Sequence, residues 1–379
     1  MRLCPSPDPL DKLLAMDYRV RCGPPLARTA RPRERSFIVL EEHSLPARIT
    51  GRACLYLVAK RGLSTVEAAA RLSRLLGSQA KYLGLKDAEA TTVQLVCIEP
   101  CPGGAPQFIR LSGLWARLLQ RSPRCPGRRS LLGNKFTIIL EPLGGAPERI
   151  CEELKRAAEA GLPAYYAYQR FGTRRPSTGH AALAALAAAH RFLWELLDYD
   201  YPDEMPETRW CRRTLWRSEA CSGGYEVQLA PRPERLLPRS IPGFVASIHS
   251  SALQALVFNA YLSERLRRGY DLWEPVPGER RGAEAPLAPV PGVGYRLRIG
   301  GEAAKILGEA LARLGLDEEM LEKPPPFLEK RRPYWRPVAV KPRRLACRVT
   351  EGMVVVGFSL DPGMYATLLL REVTGVEGL

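Results

Sequence analysis

The sequence predicts an α+β fold: a mixed, largely antiparallel sheet with helices on one face, plus an inserted module of helices and loops. Three observations lead to this. Short runs rich in Val, Ile, Leu and Thr, bounded by turn residues, have the look of strands. Between them stand segments with apolar residues at helical spacing. From His180 onward the chain changes character, with an Ala-rich helix followed by an irregular Pro/Trp/Arg section over residues 200–245.

In chain order, the first thirty-odd residues are rich in Pro and Arg and lack apolar periodicity, so residues 1–30 read as a mobile leading segment. Residues 36–40 and 55–59 read as neighbouring strands. Residues 64–76 form a helix in which Ser64 suits the N-cap, Glu67 stands at the capping-box position, and Val66, Leu72, Leu75 and Leu76 supply an apolar stripe. Gly77 ends it. Residues 82–85 are expected to be a short strand running into the polar turn Lys86-Asp87-Ala88-Glu89, and residues 91–98 a strand leaving it. Another strand follows over 135–140, then an amphipathic helix over 147–160 with Pro147 in its first turn. Beyond the irregular section come a long helix over 249–268, a breaker-rich stretch over 274–294, a strand over 346–358, and a strand or helix over 365–373. No internal repeat is visible.

Composition narrows the function. At 379 residues the chain has room for two or three domains and a large core. A net charge of +16 points to a polyanionic partner, because each Lys or Arg that neutralises a phosphate releases condensed counterions. The excess of Arg over Lys suits bidentate phosphate contacts. The ten cysteines are scattered without a Cys-x-x-Cys pair, and the four histidines stand apart from them, so no zinc site is expected. The cysteines read mostly as buried apolar thiols in a reducing compartment, with disulfides expected only if the source is a hyperthermophile. No apolar run approaches a membrane span and no signal peptide is recognisable, which makes the cytoplasm the expected location. Walker, Gly-x-Gly-x-x-Gly and Gly-x-Ser-x-Gly patterns are absent.

Two segments carry candidate chemistry. In Gly84-Leu85-Lys86-Asp87, a carboxylate beside a cation in a loop between strands could act as nucleophile or base, or could be a solvated turn pair. In Tyr165-Tyr166-Ala167-Tyr168-Gln169-Arg170-Phe171-Gly172, aromatic faces could stack on bases, Arg could pair with phosphate and Gln could read a base edge. The same residues could equally be a core strand with alternating aromatics.

The order of these motifs resembles the TruD family of tRNA pseudouridine synthases. The segment from Gly84 to Gln94 is similar to the family's Gly-x-Lys-Asp motif, and Phe37-Ile38-Val39-Leu40-Glu41-Glu42 to its first motif. Tyr165 to Gly172 is similar to the third, usually Asn-Tyr-Phe-Gly-x-Gln-Arg-Phe-Gly. Further echoes are Gly133-Asn134-Lys135-Phe136, Leu256-Val257-Phe258-Asn259, and the stretch from Phe358 to Glu372.

The resemblance implies a pseudouridine-synthase catalytic core in residues 1–173 and 341–379, with an inserted TruD-specific α/β domain over 174–340. It implies a monomeric enzyme that isomerises a uridine of tRNA near position 13 with no metal or cofactor. Asp87 is then the catalytic carboxylate, Tyr166 falls where a Phe usually stacks on the target base, and Arg31 occupies the place of a basic residue ahead of the first motif. Lys86, Asn134, Gln169, Arg170 and Phe171 complete the expected substrate-binding set. The chain departs from the pattern at Ala164, where Asn is usual, and at Ala167, where Gly is usual. These departures motivate one alternative, an RNA-binding homologue with weak or lost catalysis. A second, the same chemistry at another RNA position, would be set by Arg28, Arg31, Arg33 and Arg35 and the loop Arg121 to Arg129 gripping phosphates.

Overall fold

The structure is a computed structural model that describes residues 3–45, 47, 50–144, 146–171, 243–324 and 328–375. The expected Ala-rich helix and the Pro/Trp/Arg section lie outside the described residues as far as 242. The chain divides into two compact units, one of residues 23–160 with 341–379, the other of residues 1–22 with 161–340.

The unit of 23–160 and 341–379 is built on a ten-stranded sheet. Across it run Arg343–Thr350, Met353–Leu360, Leu131–Pro142, Phe37–His43, Thr91–Glu99, Ala53–Lys60, Leu114–Ser122 and, at the edge, Phe108–Leu111. Ala27–Thr29 extends along Leu131–Pro142, and Gln79–Tyr82 along Thr91–Glu99. Only Phe37–His43 and Thr91–Glu99 run parallel, so the sheet is mixed and largely antiparallel, as the sequence predicts.

Its core follows from the two-residue period of strands. Cys54, Tyr56, Val58, Val96, Ile98, Leu114 and Ala116 face the helix Thr65–Leu76 and pack on Ala68 and Leu72. The alternate residues Ala53, Leu55, Leu95 and Cys97 form a smaller cluster on the opposite face. The helix starts where the sequence places it, but its buried face is Thr65, Ala68, Ala69 and Leu72, and the expected stripe members Val66 and Leu75 are exposed. Ser64 Oγ accepts from the Glu67 amide at 3.2 Å while Glu67 Oε2 accepts from the Ser64 amide at 2.8 Å, and Gly77, at φ +60°, stops it.

Three expectations are corrected, the first being that Phe37–His43 and Ala53–Lys60 are neighbours, since Thr91–Glu99 runs between them. The strand before the polar turn is Gln79–Tyr82 rather than 82–85, because the chain must already be bending at Leu83 and Gly84. Residues 346–358 are two strands, Arg343–Thr350 and Met353–Leu360, joined at Glu351 (φ +52°) and Gly352 (φ +75°), the positive pair that a tight hairpin turn requires. Of the two readings offered for residues 365–373, the helix is found, as Ala366–Thr374.

The second unit centres on the helix Gly243–Arg267, whose residues from Ala252 to Leu262 are buried almost without interruption. Against it packs the helix Gly301–Arg313, which the sequence analysis does not anticipate. Arg265 and Glu279, both fully buried, pair at 2.9 Å, and the Arg265 guanidinium also donates to the carbonyls of Asp271 and Glu274. The N-terminal segment is more structured than its composition suggests. Cys4–Pro5 pairs with Tyr18–Arg19 around the short helix Pro9–Leu13, and buried Asp11 accepts from Ser6, Arg19 and Tyr168. A polar hub of this kind leaves no apolar periodicity to read.

The cysteine reading is also corrected. Eight of the ten cysteines are paired, as Cys4–Cys22, Cys54–Cys101, Cys97–Cys125 and Cys151–Cys347, with Cα separations of 5.0 to 5.7 Å that suit the bond. Thiol titration in denaturant without reductant should therefore find at most Cys211 and Cys221, the two outside the described residues. A second prediction concerns Gly133, which sits at φ +155° beside the register shift in Leu131–Pro142, where a Cβ would meet the Leu360 carbonyl at 2.5 Å. Gly133→Ala should lower stability in urea unfolding by roughly 1–3 kcal/mol.

Candidate active site

The loop Gly84 to Asp87 lies between Gln79–Tyr82 and Thr91–Glu99, and buried side chains of its own unit hold its backbone. Gln94 Nε2 donates to the Gly84 carbonyl at 3.2 Å. Thr65 Oγ1 accepts from the Lys86 amide at 2.8 Å and passes its own proton to Gln94 Oε1 at 2.8 Å. Lys60, the last residue of its strand and 1% exposed, donates from Nζ to the carbonyls of Leu63, Lys86 and Asp87 at 2.7, 3.2 and 2.9 Å. Burial pulls the Lys60 ammonium down to about 8, against the attraction of Asp87.

Lys86 turns its side chain inward. Its Nζ pairs at 3.0 Å with Glu41, a buried carboxylate that also accepts from the Leu95 amide at 3.1 Å. The cation next to Asp87 is thus committed to Glu41. Glycine at position 84 has a local reason: a Cβ there would come within 3.1 Å of the Lys86 Nζ.

What this clamp leaves exposed is Asp87, whose carboxylate makes no hydrogen bond with the described residues. Arg33 lies within its electrostatic reach, packed 5.0 Å over the Phe37 ring and 3.9 Å from Glu89. Burial draws the Arg33 guanidinium below its ordinary value, opposed by Glu89 and Asp87, and its Nε is buried without a partner among the described residues. Arg31 is exposed and adds positive charge beside Arg33. Asn134 stands in register with Glu41, and its Oδ1 is likewise buried and unpartnered among the described residues. Asp87, Lys86, Asn134 and Arg31 therefore belong to one unit, and the structure adds Lys60, Glu41 and Arg33 to them.

Tyr166, Gln169, Arg170 and Phe171 belong to the other unit. Their segment is no strand. After the two-residue strand Leu162–Pro163 the chain runs extended into a single 3₁₀ turn, Tyr168–Arg170. Asn259 fixes it at Tyr166, its Oδ1 accepting from the amide at 2.7 Å and its Nδ2 donating to the carbonyl at 3.0 Å. Arg336 donates to the Ala164 carbonyl from Nε at 3.2 Å and Nη2 at 3.1 Å.

The Tyr166 ring is 6% exposed, with the Arg336 guanidinium 3.8 Å from its centroid, Arg170 at 5.6 Å and Phe258 edge-on. Its hydroxyl meets that of Tyr334 at 2.6 Å, and burial pushes the Tyr334 phenol up. Phe171 is fully buried, while Gln169 and Arg170 are half-buried. Ala167, where glycine is usual, has φ −85° and ψ 175°, a conformation open to any residue. Asn259 lay within a motif already singled out by the sequence. Arg336 had no signal at all.

An exposed carboxylate on a clamped loop, within electrostatic reach of the Arg33 guanidinium, can attack an electrophilic carbon or take a proton. No group of three or more His, Cys, Asp or Glu among the described residues could hold a metal ion, and no described helix is long and apolar enough to cross a membrane.

Comparison with known proteins agrees with the order of the motifs. The family model for tRNA pseudouridine synthase D (TruD) matches residues 14–285 and 280–373. Two relatives named "Probable tRNA pseudouridine synthase D" are each 30% identical: that of Pyrobaculum aerophilum over 83% of this chain and 82% of its own length, and that of Pyrobaculum neutrophilum over 96% of both. A solved structure named for tRNA pseudouridine synthase D from Methanosarcina mazei shares the fold, with a TM-score of 0.71 and 20% identity over 97% of this chain and 98% of that one. With matches running through the Asp87 loop, the Tyr166 segment and the C-terminal hairpin, the chain belongs to the TruD family.

Proposed function

We infer that this protein is a tRNA pseudouridine synthase in which Asp87 is the catalytic carboxylate and position 13 the target uridine. The observation that carries the residue assignment is the division of labour at the loop. The two nearby lysines have structural tasks, Lys60 on carbonyls and Lys86 on Glu41, while the Asp87 carboxylate is left exposed.

In this reading the unit of residues 23–160 and 341–379 is the catalytic domain, and the target uridine leaves its stack to reach Asp87. Unstacking costs a few kcal/mol and is offset by contacts in the pocket. The carboxylate promotes cleavage of the C1′–N1 bond, by attack at C1′ or by removal of the C2′ proton. The freed base turns, and C5 bonds to C1′ as the Asp87–C1′ ester bond breaks or, on the other route, as the proton held by Asp87 returns to C2′. The C5 proton then leaves and N1 is protonated. The bonds exchange within one nucleoside, so the reaction as written calls for neither metal nor redox cofactor. Arg31 and Arg33 supply positive charge for flanking phosphates, and Asn134 Oδ1 offers an acceptor to a polar edge of the nucleotide. Gln169 and Arg170 are assigned to substrate contact, and Phe171 to packing beneath them. Tyr166 stacks on the base only if one of the groups that cover it swings aside. We assign the enzyme to the cytoplasm, where tRNA is matured, as a monomer. The departures at Ala164 and Ala167 do not call for a binder without catalysis, since Arg336 and Asn259 hold that backbone and Ala167 is unstrained.

Asp87→Asn should fold and bind tRNA with wild-type affinity, yet release tritium from C5-labelled uridine in tRNA at least about a thousandfold more slowly. Full activity in that variant would refute the assignment. Lys60 generates a pH prediction. Its folded-state pKa of about 8 lies below the 10.5 of an exposed lysine, so the folded protein binds fewer protons between those values and stability gains from this group as pH rises through that window. Activity should go the other way. A neutral amine has two N–H donors for three carbonyls, so kcat should fall along a limb near pH 8. Lys60→Met should lack that limb and lose roughly a hundredfold in kcat, the scale of a misplaced catalytic group.

A further inference from the structure

The edge hairpin of the large sheet carries a surface with no part in the reaction above. Phe108–Leu111 and the first half of Leu114–Ser122 alternate: Ile109, Leu114 and Ala116 enter the core under the helix Thr65–Leu76, so Phe108, Arg110, Trp115 and Arg117 project from the opposite face. All four are exposed, Phe108 at 69% and Trp115 at 44%. Pairing sets Phe108 opposite Arg117 and Arg110 opposite Trp115, which makes a two-by-two checkerboard of aromatic and guanidinium groups. The Arg117 guanidinium lies 5.9 Å from the Phe108 ring centroid.

The solvated face of an antiparallel sheet normally carries polar side chains, and an edge strand is usually guarded by charge. The arginines satisfy that rule. Two large aromatic rings on the same four positions do not, because they leave apolar surface in water on an edge already open to pairing.

We propose that this checkerboard is a docking platform for unpaired, unstacked bases of the RNA substrate. The proposal rests on the reading of the chain as an RNA-modifying enzyme. Charge selects RNA over an apolar protein partner: the rings offer π-faces to bases of any sequence, while the interleaved guanidinium groups meet the phosphates between them. The register supports it. Trp115 pairs with Ala59 and Leu114 with Lys60, so the platform begins at the end of the sheet where Lys60 grips the Asp87 loop. The platform and the Asp87 loop thus share one end of the sheet, and in this proposal the platform holds bases flanking the target while the target itself is extruded.

The test uses the full chain with Phe108→Ser and Trp115→Ser combined, which removes exposed rings without touching the core. Fluorescence anisotropy would measure Kd for unmodified tRNA transcript, for a short single-stranded RNA and for a fully paired RNA duplex. Stacking of about 1–3 kcal/mol per base predicts Kd for the tRNA and the single strand weakened at least roughly fivefold, with the duplex unaffected. Arg110→Ala and Arg117→Ala should each lower the salt dependence of single-strand binding by about 0.7 in log–log slope. Val66→Ser with Leu75→Ser, equally exposed apolar residues on the helix Thr65–Leu76, should leave every Kd unchanged. Unaltered tRNA and single-strand affinity in the Phe108/Trp115 variant overturns the proposal, as does equal weakening of duplex binding. So does a change in sedimentation with RNA affinity intact, which would make the face a contact between copies of the chain. If affinity falls as expected while wild-type protein forms no pseudouridine, the platform stands and the enzymatic reading fails.

Discussion

A lysine ammonium taken out of water needs oxygen around it, and that requirement shapes the Asp87 loop. Lys60 ends a central strand, is buried, and meets its need with the carbonyls of Leu63, Lys86 and Asp87. A buried charge without partners costs far more than a hydrogen bond gains, so the loop cannot drift from the strand end without stranding the cation. Glu41 imposes the same condition from the other side, since it is buried and its charge is answered by Lys86. Between them the two charges fix both the course of the backbone and the direction of the side chain before Asp87.

The other unit fixes its Tyr166 segment by similar means. Long side chains reach from distant parts of the chain to capture peptide groups: Asn259 across 93 residues, Arg336 across 172. In neither case does regular secondary structure hold the segment. Backbone that cannot pair in a sheet or helix must still be satisfied when buried, and side-chain donors and acceptors do this here.

What the sequence revealed follows the range of the forces involved. The helix Thr65–Leu76 was readable to the residue because its start depends on Ser64 and Glu67, three positions apart. The strands around 37–43, 53–60, 91–99 and 131–142 were readable from their apolar runs, whereas Phe108–Leu111 and Leu114–Ser122 were not, because charged residues interrupt them. Asp87 was singled out by its place in a series of motifs. Lys60 was invisible as a buried group, because a lysine at a strand end is ordinarily solvated and its burial depends on a loop 26 residues away. The turn at Glu351 and Gly352 escaped because apolar runs on both sides masked it. The disulfide partners, 18 to 196 residues apart, follow from no local rule.

The large sheet is completed by residues far apart in the chain. Leu131–Pro142 has Phe37–His43 along one edge and Met353–Leu360 along the other, with the whole second unit except its first residues encoded between them. On a ribosome adding about 5–20 residues per second, the strand would wait roughly 10–40 s for its second neighbour. Throughout that interval it presents an unpaired, apolar edge, the kind of surface that recruits foreign strands. Biosynthesis of this fold thus has a built-in vulnerable period, and the cell's holding chaperones are the natural guardians of the nascent chain until the C-terminal hairpin emerges.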